Sequence, residues 1–295
     1  MRACDLLAPE GPLAARMPGY EQRAGQLEMA AAVERALDED RVLLCEAGTG
    51  TGKTLAYLVP ALQSGRRVVV STASKALQEQ IFDKDLPLLR QVLARDVEAM
   101  VIKGLSNYLC LRRFDEFSRD PNLPASMRRA LPLFEQLRLH SNTGDIAEVN
   151  LDEHHPALSR VTSSSDTRLG KRCNHYESCF VTRLKKSAQQ AQLLTVNHHL
   201  LCADLAVRGD HPGSVLPDYD ALIVDEAHRL EDTATQMSGL HLSDRSIASI
   251  NKELERLVLL LKLPAAIVGR IPNATTSRTM SSHASTPMLR PEHGR

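Results

Sequence analysis

Five short apolar runs stand out along the chain: Arg41–Glu46 (RVLLCE), Arg67–Ser71 (RVVVS), Val97–Lys103 (VEAMVIK), Gln192–Val196 (QLLTV) and Ala221–Val224 (ALIV). They are rich in Val, Leu and Ile and do not alternate with polar residues, the pattern of strands covered on both faces. Helical spacing of apolar residues runs from Gln22 to Leu37 and from Thr54 to Leu62, and another helix starts over Lys75–Phe82. Strands alternating with helices at this interval predict an α/β fold built on a parallel sheet.

Residues 107–190 break the pattern. They are polar, poor in strand-like runs and rich in basic side chains, and they read as a mostly helical insertion into the α/β domain. The predicted organisation is a loose lead-in over 1–19, a first part of the α/β domain over 20–106, the insertion over 107–190 and the rest of that domain over 191–242. A helix that opens a second insertion (243–271) and a disordered tail (272–295) follow. Eight of the twelve residues from Thr275 to Thr286 are Ser or Thr, too few apolar groups to offset the entropy of ordering.

Composition narrows the reading. Aromatic residues make up 3% of the chain with no Trp, so the core must be mainly aliphatic. The formal net charge is +0, so any nucleic-acid binding must rest on local basic patches. Six scattered cysteines do not make a disulfide scaffold, and no apolar run approaches the ~18 residues of a membrane span. The expectation is a cytoplasmic monomer without a membrane partner.

Two elements carry chemistry. Ala47–Thr54 (AGTGTGKT: Ala47, Gly48, Thr49, Gly50, Thr51, Gly52, Lys53, Thr54) is a phosphate loop between an apolar run and a helix. Small residues let backbone N–H groups turn inward around phosphates, and the helix N-terminus adds positive dipole. Lys53 is expected on the β and γ phosphates, and the Thr54 hydroxyl on Mg²⁺. Downstream, VDEAH (Val224–His228) ends an apolar run, where α/β sheets place ligands. Asp225 is expected to hold Mg²⁺ through water, and Glu226 to orient and deprotonate the attacking water. Lys53 and Asp225 stand 172 positions apart, more than a minimal nucleotide domain needs, which agrees with an insertion.

Taken together, AGTGTGKT and DEAH resemble superfamily 2 helicases. The intervening segments RAGQLEMA (Arg23–Ala30), STASKALQEQ (Ser71–Gln80), KGLSNYLC (Lys103–Cys110), GDIAEV (Gly144–Val149) and VNHHLLCADL (Val196–Leu205) are similar to the DinG/YoaA branch of XPD-like helicases. That resemblance covers about Gly19 to Leu261. It implies a RecA-like domain interrupted by an iron–sulfur-type insertion, and an ATP- and Mg²⁺-dependent 5′→3′ DNA helicase of DNA repair acting on single-stranded or forked DNA.

It also implies roles by position. Gln26 matches a glutamine that reads the adenine edge, with Tyr20 and Arg23 beside it. Ser71–Gln80 matches a segment that contacts the DNA backbone, and His228 a residue that couples the γ-phosphate state to DNA. The region LGKRCNHYESCFV (Leu169–Val181) is similar to one that binds a [4Fe–4S] cluster through four thiolates. Cys110, Cys173 and Cys179 match three of them, but Arg168 stands where the fourth belongs. A cluster that is incomplete, labile, otherwise ligated or absent, with three free cysteines as the plain alternative, all remain open. Seven Lys or Arg between Arg160 and Lys186, with Tyr176 and Phe180 among them, suit single-stranded DNA by charge and stacking. Helicases of this kind pair two RecA-like domains, and no second one is recognised in these 295 residues. The expectation is therefore nucleotide and DNA binding without unwinding by this polypeptide alone, or a non-catalytic binding remnant.

Overall fold

The computed structural model describes residues 2–48, 50–210 and 214–238. Thr49 of the phosphate loop, the predicted helix and second insertion over 243–271 and the predicted tail over 272–295 lie outside the described residues.

Four strands form one parallel sheet: β1 Val68–Thr72, β2 Ala99–Val101, β3 Leu193–Asn197 and β4 Ala221–Val224, in the order β2-β3-β1-β4. Val68 pairs with Leu193 on one side and Ala221 on the other, and Ala99 with Leu193. β1 is buried at every position. Val68, Val70 and Leu193 face a cluster that includes helices Ala24–Asp38 and Lys53–Gln63. Val69, Leu194 and Val196 face the opposite cluster, with Ala188, Leu200, Leu201 and Leu216. Both faces being covered explains why these strands read as unbroken apolar runs.

The first face is built by two packed helices. Ala24–Asp38 buries Gln26, Ala30, Val33 and Leu37, spaced for one helical face. Lys53–Gln63 is buried continuously from Leu55 to Leu62 because it lies between that helix and the sheet.

One predicted strand is corrected. Arg41–Glu46 has the same apolar content as β1 but forms no strand; Val42 is 94% and Leu44 91% exposed. A strand gains its hydrogen bonds from a neighbour, and among the described residues β4 is paired on the β1 side only. Sequence pattern predicted the element but could not supply its partner.

The insertion has its own core. Phe114, Phe117, Phe134 and Phe180, four of the five phenylalanines in the chain, are buried there with Leu109, Leu123 and Val161. Phe134 meets Phe114 and Phe117 edge-on at centroid distances of 6.3 and 6.4 Å, contacts worth about 0.5–1.5 kcal/mol each beyond their buried area. Gly144, at φ +68, leaves room for the Phe180 ring, whose Cγ lies 2.3 Å from where a β-carbon would stand. The helix Phe180–Ala188 joins the two cores, with Phe180 in one and Ala188 in the other. Segments Lys103–Cys110 and Gly144–Val149 meet at this junction. Leu109 N donates to Gly144 O at 2.8 Å, Lys103 pairs with Asp145, and the Lys103 amide donates to Tyr108 Oη at 3.0 Å. Burial pushes the Tyr108 phenol up to about 12.

Candidate nucleotide and DNA site

The phosphate loop closes on Gly52, whose φ of +78 and ψ of 31 lie in the left-handed region. A β-carbon there would fall 2.3 Å from Gln26 Nε2, so the position requires glycine for both conformation and space. Lys53 and Thr54 then open the helix. The Lys53 ammonium folds back on the loop, donating to Ala47 O at 2.9 Å and Gly48 O at 3.1 Å, and Thr51 Oγ1 donates to Gly48 O at 2.9 Å. The described part of the loop is thus gathered around the Lys53 ammonium.

The acidic strand end reaches the same place. β4 leads into Asp225, whose amide donates to Ser71 O at 2.9 Å, one step beyond the strand ladder. Tyr57 Oη donates to Asp225 Oδ2 at 3.0 Å. Tyr57 is 2% exposed, and burial together with the Asp225 carboxylate holds its pKa well above the ordinary phenol value, so the proton stays on the hydroxyl. That buried phenol joins the helix carrying Thr54 to the strand end carrying Asp225, the two residues expected to share a Mg²⁺ ion. A hydroxyl and a carboxylate are hard oxygen donors of the kind Mg²⁺ takes, so the donor set fits the ion.

Glu226 follows in the left-handed region, at φ 54 and ψ 45, unusual for a residue with a side chain. Its amide donates to Asp225 Oδ1 at 2.9 Å, and its carboxylate lies 3.7 Å from Arg229. Glu226 and His228 are both exposed, beyond the strand end.

Gln26, Tyr20 and Arg23 also gather at the loop. Gln26 is 4% exposed; its Nε2 donates to Gly52 O at 3.1 Å, and its Oε1 lies 3.1 Å from Tyr20 Oη. A carboxamide has two N–H groups and two oxygen lone pairs, so these bonds use half of its hydrogen-bonding capacity. Arg23 Nη1 comes within 3.9 Å of the β-carbon direction of Gly50.

Two residues near the site were not singled out from sequence. Tyr57 sits within an apolar helix and reads as core; its spacing of three from Thr54 was the available signal. His198, the first of the histidine pair, is 2% exposed and bonds through Nδ1 to Ser71 Oγ at 2.7 Å.

The Ser71–Gln80 segment leaves β1 beside this site. Ser74 caps its helix, accepting from Leu77 N at 3.3 Å. In the insertion the basic run is largely engaged within the protein. Arg160 pairs with Asp120 at 3.0 Å and Lys186 with Glu177 at 2.9 Å, while Arg183 lies 4.9 Å over the Phe180 ring. Lys185 is exposed, yet desolvation by its surroundings and the nearby Arg168 charge lower its pKa. Lys171 and Arg172 are exposed and have no ion pair or side-chain hydrogen bond among the described residues.

Cys110, Cys173 and Cys179 line one cavity of about 30 Å³ with Arg168 and Tyr176, which places the three matched cysteines together. Arg168 Nη2 donates to Thr182 Oγ1 at 3.2 Å. A guanidinium has no lone pair to offer a metal, so the residues present do not make the four-thiolate set of a [4Fe–4S] cluster. Among the described residues no group of three or more His, Cys, Asp or Glu is placed to hold a metal ion.

Residues 27–160, which include the phosphate loop, match the DEAD/DEAH box helicase family. The chain is 40% identical over 252 residues to the ATP-dependent DNA helicase YoaA of Escherichia coli. The chain carries a DEAD/DEAH helicase domain of the DinG/YoaA type. The alignment with YoaA takes in 85% of this chain and 40% of that protein. The ATP-dependent helicase DinG of Mycobacterium tuberculosis is 35% identical over 263 residues (81% of this chain, 39% of that one). The 3′-5′ exonuclease DinG of Bacillus subtilis is 37% identical over 237 residues, 78% and 25% of the two chains. This helicase domain thus spans at most about 40% of the length of these curated relatives. Its parallel sheet and flanking helices fit a RecA-like α/β fold. Among the described residues no helix is long and apolar enough to cross a membrane.

Proposed function

We propose that this helicase domain binds Mg-ATP between Ala47–Thr54 and Asp225–His228, and single-stranded DNA across Ser71–Gln80 and the exposed Lys171–Arg172 corner. The observation that carries the reading is the bond of buried Tyr57, on the helix that follows the phosphate loop, to Asp225, which joins two sequence-distant elements. Lys53 would leave the loop carbonyls for the β and γ phosphates. Gln26, with Tyr20 and Arg23, would hold the adenine through its unused amide capacity. Thr54 would ligate Mg²⁺ directly and Asp225 through water; the bound ion supplies charge neutralisation of the triphosphate. Glu226 would orient and deprotonate the attacking water, and His228 would report the γ-phosphate to the DNA side.

For the whole protein the proposed activity is the one the sequence resemblance implies, 5′→3′ unwinding of forked DNA in repair at the nucleoid; relatives named as ATP-dependent helicases support its coarser part. An arginine donated from a second domain is worth about 10³–10⁵ in rate at such sites. Residues 1–295 by themselves are accordingly proposed to bind both ligands, hydrolyse very slowly and not separate strands. A binding module without turnover is a second reading. It is favoured by the exposure of Val42 and Leu44, because a phosphate loop whose leading segment is not clamped in the sheet is a less preorganised cradle. A DNA-stimulated ATPase rate would decide for the helicase reading over this one.

Fluorescent ATP titrated into purified protein with Mg²⁺ tests the proposal. Lys53→Ala is expected to weaken binding at least tenfold, about 1.4 kcal/mol. The melting temperature should stay unchanged, since the Lys53 ammonium bonds only to loop carbonyls. Equal affinity in the variant, or robust unwinding by the 295-residue chain, would overturn it.

A further inference from the structure

β1, β3 and β4 run parallel and end side by side, and each delivers one residue to the same edge. β1 ends near Ser71, β3 passes into His198, and β4 passes into Asp225 and Glu226. Ser71 is fully buried, so its hydroxyl is turned into the protein although the segment it opens runs toward the expected DNA face. That hydroxyl is 2.7 Å from His198 Nδ1. The other ring nitrogen, Nε2, is buried without a hydrogen-bond partner, and the ring lies against the backbone of Asp225 and Glu226.

An imidazole nitrogen buried and unbonded is costly unless another state of the protein supplies its partner. The adjoining backbone is the one element here with a reason to move. Glu226 is held at φ 54, a conformation that persists only when the surroundings enforce it. When the Ser71 hydroxyl donates to Nδ1, the hydrogen sits on Nε2, on the side of the Asp225–Glu226 backbone, whose carbonyls would accept it once the turn shifts. The neutral ring suits this role, and burial lowers the His198 pKa in the same sense.

We propose that His198 is a positioning residue that links the start of the DNA-facing segment at Ser71 to the Asp225–Glu226 turn, so that single-stranded DNA and Mg-ATP affect one another's binding through it. The inference rests on the nucleotide and DNA reading above and adds the route between the two ligands. It assigns His198 no contact with either. Reciprocal linkage of this kind is about 5–150-fold in affinity where two sites are coupled.

The test uses the full 295-residue chain, a fluorescent ATP with Mg²⁺ and an oligothymidylate, titrated singly and together. In the unmodified protein the oligonucleotide is expected to change the nucleotide Kd at least fivefold. His198→Asn places an amide near Nδ1 but stops short of the turn. It should keep each separate Kd within twofold while the linkage falls to about one. His198→Gln, whose amide reaches toward the Nε2 position, should recover part of it. Hydrogen exchange at 225–227 should rise in His198→Asn and stay unchanged along β1 and β3, which a general loss of packing would not produce. Should His198→Asn fail to fold, Ser71→Ala cuts the other end of the link and must show the same loss. Binding of both ligands with no linkage in the unmodified chain, or with linkage intact in His198→Asn, overturns this inference and leaves the proposed function standing. Failure of the unmodified chain to bind either ligand defeats both.

Discussion

Removing one oxygen atom, in Tyr57→Phe, tests the geometry of the site directly. The hydroxyl is buried and donates to Asp225 Oδ2 at 3.0 Å. Hydrogen bonds to charged groups contribute about 1.5–3 kcal/mol to stability. Asp225 is only partly buried, so water can replace the lost donor in part, and the lower end, about 1.5 kcal/mol, applies. At about 2–4 °C per kcal/mol for a domain of this size, Tyr57→Phe should melt roughly 3–6 °C below the unmodified protein. A double-mutant cycle with Asp225→Ala assigns the effect to the pair: once the carboxylate is gone, the phenol oxygen has lost most of its purpose. The second substitution should then cost under about 0.5 kcal/mol, the level at which separate sites simply add. Calorimetric melts of the four proteins without nucleotide provide the readout. Full additivity, or a Tyr57→Phe protein that melts with the unmodified one, would show that Tyr57 does not join the phosphate-loop helix to the strand end.

Three further outcomes follow from single side chains. Gly52→Ala adds a β-carbon 2.3 Å from Gln26 Nε2 at a φ of +78; it should destabilise the fold by about 1–3 kcal/mol, read by urea denaturation, and weaken nucleotide binding. Arg168→Cys restores the fourth thiol beside Cys110, Cys173 and Cys179, so anaerobically purified variant should carry iron and broad visible absorption where the unmodified chain does not; iron near four per chain in the unmodified protein would refute this. Asp85 is buried, and that burial raises its pKa above the ordinary carboxylate value. The folded protein therefore binds this proton more tightly than the unfolded chain, and the favourable contribution is lost as pH rises through the folded pKa. Asp85→Asn should be more stable than the parent at pH 7, with the difference closing toward pH 4 in denaturant titrations.

The sheet was legible because burial on two faces leaves a run of Val, Leu and Ile, and β1, β3 and β4 fall within a residue of where those runs predict them. Arg41–Glu46 carries the same signature and is exposed, since hydrophobicity describes what a segment would gain from pairing and not whether a neighbour is available. The change of composition over 107–190 was visible, while the aromatic cluster it holds was not, because four phenylalanines spread from 114 to 180 show no periodicity. In the site, glycines and the lysine–threonine pair were readable from backbone requirements. Gln26 was read for its expected ligand, yet much of its bonding goes to Gly52 and Tyr20. Tyr57 and His198 escaped for a shared reason: their polar atoms are buried against residues far along the chain, and only folding reveals the partner.

The insertion occupies a telling place in the connectivity. It is itself the crossover between β2 and β3, which lie next to each other with Ala99 opposite Leu193. Parallel neighbours cannot pair until the chain between them has turned back, and here that chain carries an aromatic cluster of its own. Closing so long a loop carries an entropic penalty that precedes any reward from contacts. Val68 meets Leu193 and Ala221 across still longer stretches of chain, so no part of this sheet can form until distant segments have met, and local hairpin-like nucleation is closed to it.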